Sequence, residues 1–285
     1  MNQAGALNLP HLNMTERPLS EIEVTPENLP ALRQEIASLR EEKGREEETL
    51  RLINRVRPEA IKLEEHEHVV NLYWEEHLVG QHMIMMEKSK ADEIDFERIA
   101  EGLKIMEEAT IKGQEYIDAN SVESLRPRSH RFLGRVADYK GEFNESRQHY
   151  EKAVELFEKE EDLMSRVNRL EIQGFLAYSL IMTGEIQEGL ELGRRTFTEF
   201  DVSPDGKKLK EKDYYTWAVW KSGVAIRIIN ELVSRDGEYD REELTNWLDE
   251  AELILIIPEG DETWGDKNFQ FRKDEIEAVR KKLTP

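Results

Sequence analysis

The chain has 285 residues, a formal charge of −21 and no cysteine, with 38% apolar and 35% charged residues. Disulfides and thiolate metal sites are excluded, and a surface of this sign repels phosphate backbones and anionic bilayers. No run approaches the ~18 apolar residues of a membrane span, so an acidic cytoplasmic protein is expected, with neither nucleic acid nor membrane as partner.

Residues 1–24 mix Asn, Pro, Ser and Glu with leucines that follow no period. They lack the basic n-region and apolar core of a signal peptide, and a flexible tail is expected. Thr25-Pro26 supplies an N-cap with proline in the first helical turn. Leu29, Leu32, Ile36 and Leu39 are spaced as one helix face, and the rhythm resumes after a polar break at Gly44 as Glu46, Leu50 and Ile53. The heptad-like spacing predicts a helical arm over 25–58 with Pro58 as its end, either a coiled-coil arm or, because the seam is interrupted in its middle, a hairpin or long helix against the first layer. Residues 59–88 carry apolar side chains on more than one side, as in a helix between two layers. After the polar turn KSKADEID, Phe96, Ile99, Leu103 and Met106 form a 3-4-3 stripe that runs on towards Ile117.

Arg126-Pro127 marks the next boundary. Helices are predicted over 128–140 and 142–158, joined through Lys140-Gly141-Glu142, and over 163–183 and 185–200, joined through Thr183-Gly184-Glu185. Each glycine stands where a helix C-terminus needs a left-handed residue. Residues 201–212, with four lysines, read as a long loop. A helix over 213–235 pairs with one over 240–257 across Asp236-Gly237-Glu238-Tyr239. After Pro258 an acidic turn leads to an amphipathic helix over 269–283, suited to cap the open end of an array.

The glycine turns align with one another. Leu133-Gly134, Tyr139, Gly141, Phe143, Tyr150 and Ala153 form the best copy; Leu176-Ala177, Met182, Gly184, Ile186 and Gly189 the second; Gly237 and Tyr239 anchor a third. Phe143 and Ile186 lie 43 residues apart, and Ile186 and Tyr239 53. The Phe96 stripe would be the second helix of an earlier copy. This pattern resembles the tetratricopeptide-repeat (TPR) family through its Leu-Gly pair, its Gly-Glu-Phe turn and its Tyr-x-x-Ala spacing. The resemblance covers about residues 60–257 and is specific for 131–157. Departures are intervals longer than the family's usual ~34 residues, Ser146 where alanine is usual, and Gly193 in place of the second-helix aromatic. It implies an all-α fold, a right-handed superhelical α-solenoid of antiparallel helix pairs over 59–285, closed by the capping helix, with 25–58 as an N-terminal helical extension.

The resemblance also implies a concave groove lined by the first helix of each pair, and a protein or peptide partner lying in it. Arg128, Arg131 and Arg135 fall at i, i+3, i+7 on the first helix of the best copy, with no acid between Glu123 and Asp138. Guanidinium forks suit carboxylate or phosphate, so an acidic or phosphorylated segment, or a free carboxylate, is the expected ligand. The same arginines could instead pair with glutamates of adjacent helices. Tyr139, Tyr178 and Met182 are the other side chains expected near the groove, each equally suited to inter-helix packing. The family's carboxylate clamp of Lys and Asn is not matched.

His66, His68, His77 and His82 lie within one short stretch, but the single Glu65-x-x-His68 lacks the second copy that a di-iron bundle needs. No phosphate-binding glycine loop, Gly-x-Ser-x-Gly elbow or cysteine nucleophile is present. A non-catalytic scaffold or adaptor without cofactor is therefore expected. The alternatives are a structural subunit that self-associates or docks to an assembly through 25–58, and, ranked last, a helical-bundle metalloenzyme.

Overall fold

The computed structural model describes residues 22–88, 90, 93–159, 163–235, 239–256 and 269–283. Within them the chain forms twelve α-helices, one 3-10 turn (Glu123–Leu125) and no strand. The all-α expectation holds, and no described helix is long and apolar enough to cross a membrane. The chain divides into two units, Met1–Leu125 and Arg126–Pro285.

The first unit holds α1 (Leu29–Glu41), α2 (Glu46–Lys62), α3 (His66–Lys88) and α4 (Phe96–Asn120). Thr25 prepares the entry: its N–H donates to Asn28 Oδ1 at 2.9 Å, and Asn28 N–H returns to Thr25 Oγ1 at 3.4 Å. This reciprocal pair satisfies donors that a helix start leaves open. Gly44, at φ +83°, breaks the rhythm and separates α1 from α2 as a hairpin. Leu29, Ile36 and Leu39 then meet Leu52, Ile53 and Val56, and both sets pack on Val69, Leu72, Val79 and Met83 of α3. With α4 also packed on it, α3 has neighbours on several sides, which explains its apolar residues all round.

Two expectations are corrected here. Pro58 does not end an arm, because α2 runs through it to Lys62. Proline deprives the carbonyl of Asn54 of its N–H, a loss met on the exposed side of the helix, where both Asn54 and Pro58 lie. The residues expected as an extension belong to the same unit as α3 and α4, and the chain divides after Leu125. The second correction concerns α4. Its buried face is Gly102, Met106, Ala109, Thr110, Gly113 and Ile117, while Phe96 is 75% exposed. A Cβ on Gly80 would stand 2.4 Å from the Gly102 carbonyl oxygen, and one on Gly102 2.7 Å from that of Gly80. Backbone-to-backbone approach selects a face on which Met106 and Ile117 of the predicted stripe are buried beside small residues, while Ile99 and Leu103 are half-buried and Phe96 lies outside it.

The second unit holds α5 (Arg126–Lys140), α6 (Phe143–Phe157), α7 (Leu163–Met182), α8 (Ile186–Val202), α9 (Pro204–Lys212), α10 (Tyr214–Val233), α11 (Arg241–Leu253) and α12 (Gln270–Leu283). The turns after α5 and α7 are the same object. Glu142 N–H donates to Ala137 O at 2.9 Å and Gly141 N–H to Asp138 O at 3.1 Å; Glu185 N–H donates to Leu180 O at 2.9 Å and Gly184 N–H to Ile181 O at 3.1 Å. Both are glycine-closed C-caps with φ of +78° and +97°, and each leads directly into the next helix. Packing follows chain order: α6 against α5 and α7, α8 against α7, α10 against α7 and α8, α11 and α12 against α10. Between 201 and 212 the expected loop is corrected to a helix. Ser203 Oγ accepts from Gly206 N–H at 3.0 Å, Pro204 fills the first turn, and Leu209 is buried. The third glycine turn at 236–238, the acidic turn after Pro258, the tail to residue 21 and part of the 88–95 turn lie outside the described residues.

Filling of the two repeated pairs differs. Tyr150 of α6 occupies the space over Gly134, where a Cβ would come within 2.5 Å of its ring. In the second pair Gly193 stands at the Tyr150 position, opposite Ala177, and the vacancy is taken from outside. A Cβ on Gly193 would meet Ile228 of α10 at 2.2 Å and Trp247 of α11 at 3.4 Å. Ser146, in the alanine position, is buried and donates to Asp138.

Candidate functional site

The apolar face of α5 buries Phe132 and Val136, which places Arg131 and Arg135 on its flank, half-covered, while Arg128 stays exposed. Arg131 Nη2 reaches Glu171 Oε1 of α7 at 2.8 Å. Arg135 Nη1 reaches Asp138 Oδ2 on its own helix at 3.1 Å. The internal-pairing alternative thus applies to both, although the acid next to Arg135 is an aspartate one turn away.

Pairing does not exhaust these groups. One aromatic ring, Phe175 of α7, receives three guanidinium carbons: Arg227 of α10 at 4.0 Å, Arg135 at 4.8 Å and Arg131 at 5.5 Å from its centroid. Such cation–π contacts contribute about 0.5–2 kcal/mol each, more as water is removed. Phe175 also stacks on Tyr150, centroids 5.5 Å apart. The cluster is therefore built from three helices, α5, α7 and α10, around a ring that is itself 5% exposed.

Asp138 anchors it. With a side chain 5% exposed, it accepts from Arg135, from Ser146 and from Tyr150 Oη at 2.6 Å. Burial pushes the Tyr150 hydroxyl well above its usual pKa, and Asp138 adds to this. Tyr178 is pushed up to about 12 by burial, with Asp138 and Glu231 adding to it. For Arg135, burial works against the charge, but Tyr139, Tyr150 and Asp138 outweigh it and raise its pKa.

Arg227 is the exception. Burial, and then the like charges of Arg135 and Arg272, lower it to about 10. It remains a cation at neutral pH, and among the described residues no carboxylate lies within ion-pair distance of it. Arg272 arrives from α12 and rests against Gly223, one turn before Arg227 on the same face of α10: a Cβ there would stand 2.8 Å from Arg272 Nη2. Arg272 Nη1 pairs with Glu275 at 2.5 Å. Arg131, Arg135 and Arg272 each hold a carboxylate and Arg227 holds none, so the cluster keeps a positive excess inside a chain of charge −21.

Of the side chains singled out in the sequence, Arg131, Arg135 and Tyr139 fall in this cluster, Tyr139 beneath Arg135 at 5.0 Å. Tyr178 borders it and meets Phe143 edge-on, centroids 6.3 Å apart. Met182 lies farther along α7, where its sulfur accepts from Arg235 Nη2 at 3.3 Å. Asp138, Glu171, Phe175 and Arg227 were missed. The available signal for Arg227 was its charge in the middle of Val224-Ala225-Ile226-Arg227-Ile228-Ile229.

The histidines of α3 disperse. His66 pairs with Tyr116 Oη at 2.9 Å and His77 with Thr110 Oγ1 at 2.8 Å on α4; His68 meets Arg33 at 2.9 Å and His82 the Arg40 carbonyl at 3.2 Å on α1. Among the described residues no three His, Asp or Glu side chains could hold a metal ion. No protein-family model matches the chain, and no curated protein matches it either.

Proposed function

We propose that this chain is a non-catalytic, cytoplasmic interaction protein whose second unit is a TPR-like right-handed solenoid, and that the face made by α5, α7 and α10 binds an acidic or phosphorylated segment of another protein. The observation that carries the reading is the convergence of Arg131, Arg135 and Arg227 on Phe175. Holding like charges together costs energy that core packing alone does not require, and an anionic partner offsets it. The matching turns after Gly141 and Gly184 support the repeat assignment. A polyanion such as nucleic acid is disfavoured by the overall charge of −21.

The alternative, self-association through 25–58, has less to recommend it. Leu29, Leu32 and Ile36 are each 0% exposed, so the face of α1 that carried the expected seam is already covered within the chain.

The test is fluorescence anisotropy with a labelled oligoglutamate peptide and a neutral peptide of equal length. Binding of the acidic peptide alone, weakening with salt and by about tenfold or more in Arg131→Gln, is expected. Equal binding of both peptides, or an unchanged affinity in the variant with its helical melt intact, would remove this function.

A further inference from the structure

We infer that the Arg227 face is a receiving site for a phosphomonoester carried on a side chain of the bound segment, with Arg227 as its central donor and Arg135 and Arg272 on either side. This rests on the groove reading above and narrows it to one chemical group.

The charges come first. Arg131, Arg135 and Arg272 are each paired with a protein carboxylate, whereas Arg227 lies over an aromatic ring and forms no ion pair among the described residues. Arg227 also lies close enough to Arg135 and Arg272 for both to oppose its charge. A buried cation crowded by two like charges is a costly arrangement, which the Phe175 ring and the more distant Asp138 offset only in part. An incoming anion relieves both repulsions together, so its binding is favoured beyond a single ion pair.

Donors come next. A guanidinium offers five N–H groups. Arg131, Arg135 and Arg272 each give a terminal nitrogen to their carboxylate, yet their Nε atoms are buried without any acceptor. Buried polar atoms are satisfied in the great majority of cases, so these N–H groups keep hydrogen-bonding capacity for an acceptor that reaches them. Arg227 adds its whole fork. A carboxylate presents two oxygens in one plane, and a single fork pairs with both at once. A phosphoryl group presents three oxygens in three directions and a charge of about −2 at neutral pH. Donors arriving separately from α5, α10 and α12 match the second pattern.

The sequence keeps the third donor in place. Gly223 leaves the space that Arg272 Nη2 occupies, and any Cβ there displaces it. The clash is with the end of a flexible side chain, so Gly223→Ala shifts Arg272 without disturbing backbone packing. A glycine in the middle of a helix is unfavourable by about 1 kcal/mol relative to alanine, so this position gives up helix stability for the room it leaves.

The experiment uses the full chain and four probes at constant ionic strength: a serine-containing acidic peptide, the same peptide with one phosphoserine, inorganic phosphate, and acetate. Titration calorimetry and arginine side-chain NMR shifts are the readouts, with a thermal melt for every variant. The phosphopeptide is expected to bind about tenfold or more tightly than its unmodified form, and inorganic phosphate detectably where acetate is not. Arg227→Gln should abolish the phospho-preference, the phosphopeptide losing more affinity than the unmodified peptide, which falls only as far as one cation of the groove accounts for. Arg227→Lys, which retains charge without the fork, should lose most of the preference, and Gly223→Ala should reduce it severalfold. Equal affinity for the two peptides in the wild type overturns the phosphoryl site and leaves the acidic groove standing. Failure of both peptides overturns the two together. Inorganic phosphate binding as tightly as the phosphopeptide overturns the segment-borne ligand, and a phospho-preference that survives Arg227→Gln overturns the role of Arg227.

Discussion

The pair α5–α6 and the pair α7–α8 share one turn and differ in what fills the space between their helices. Both close on a left-handed glycine with the same two carbonyls capped. In the first, a large ring on α6 enters a gap left by Gly134; in the second, small meets small, and Ile228 and Trp247 of the following helices enter instead. The backbone joint repeats while the volume is assigned locally. A helical pair in such a chain is defined by its cap bonds, and its missing bulk is supplied by the next pair along.

That comparison can be broken most strongly at the two large fillers. Tyr150→Ala and Trp247→Ala should each cost about 3–5 kcal/mol in urea unfolding of the second unit, Tyr150→Ala also freeing a donor from Asp138. Asp138→Ala should come next, at about 3 kcal/mol, because it leaves the Arg135 charge without its carboxylate; Arg135→Gln in the same chain should restore part of the loss. Overfilling is the third test. Gly134→Ala and Gly193→Ala should each cost about 1–3 kcal/mol, the first relieved by Tyr150→Ala and the second by Ile228→Ala. Purely additive double-mutant cycles would refute the assignment of fillers. Gly141→Ala and Gly184→Ala should be smaller and equal, about 1–2 kcal/mol each; an unequal pair would mean that the joints are not equivalent.

The smallest expected effect is one of pH and belongs to the first pair alone. His149 of α6 lies with its Nδ1 3.1 Å from Nδ1 of His130 on α5, and Glu145 stands 3.8 Å from its other nitrogen. Burial lowers its pKa, against the opposing pull of Glu145. The folded chain therefore binds the proton less readily than the unfolded one. Stability should be full above the ordinary histidine range near 6.5 and decline as pH drops below it. Melting temperature against pH, with His149→Gln as the flat reference, checks this.

The sequence made the joints visible and the contacts between helices largely invisible. Gly141 and Gly184 located their turns because a left-handed residue is a local requirement. Ser203-Pro204 carried the same N-cap signal as Thr25-Pro26, yet four nearby lysines made the stretch read as a loop; one buried residue, Leu209, with Gly206 tucked against Phe200, was enough to hold it. Pro58 read as a break because its local rule is strict, but Asn54 and Pro58 both lie on the exposed side of α2, where the helix runs on past the proline. The Phe96 stripe was right at Met106 and Ile117 and wrong at Phe96, because periodicity counts apolar area and cannot see that Gly80 and Gly102 bring two backbones together. At the candidate site, Arg131 and Arg135 were legible from their spacing. Arg227 was not, since its significance comes from neighbours on α5 and α12 that only the fold supplies.

The identical joints have an engineering consequence. Joining Gly141 directly to Glu185 would excise one module and recreate the same cap, so the splice itself would be invisible to the backbone. The shortened chain would nevertheless set Gly134 of α5 opposite Gly193 of α8, hollow against hollow, with Ile228 and Trp247 now required to plug a space shaped for a tyrosine. Modules here can be cut cleanly but not shuffled freely: their order along the chain is written into which helix lends bulk to which.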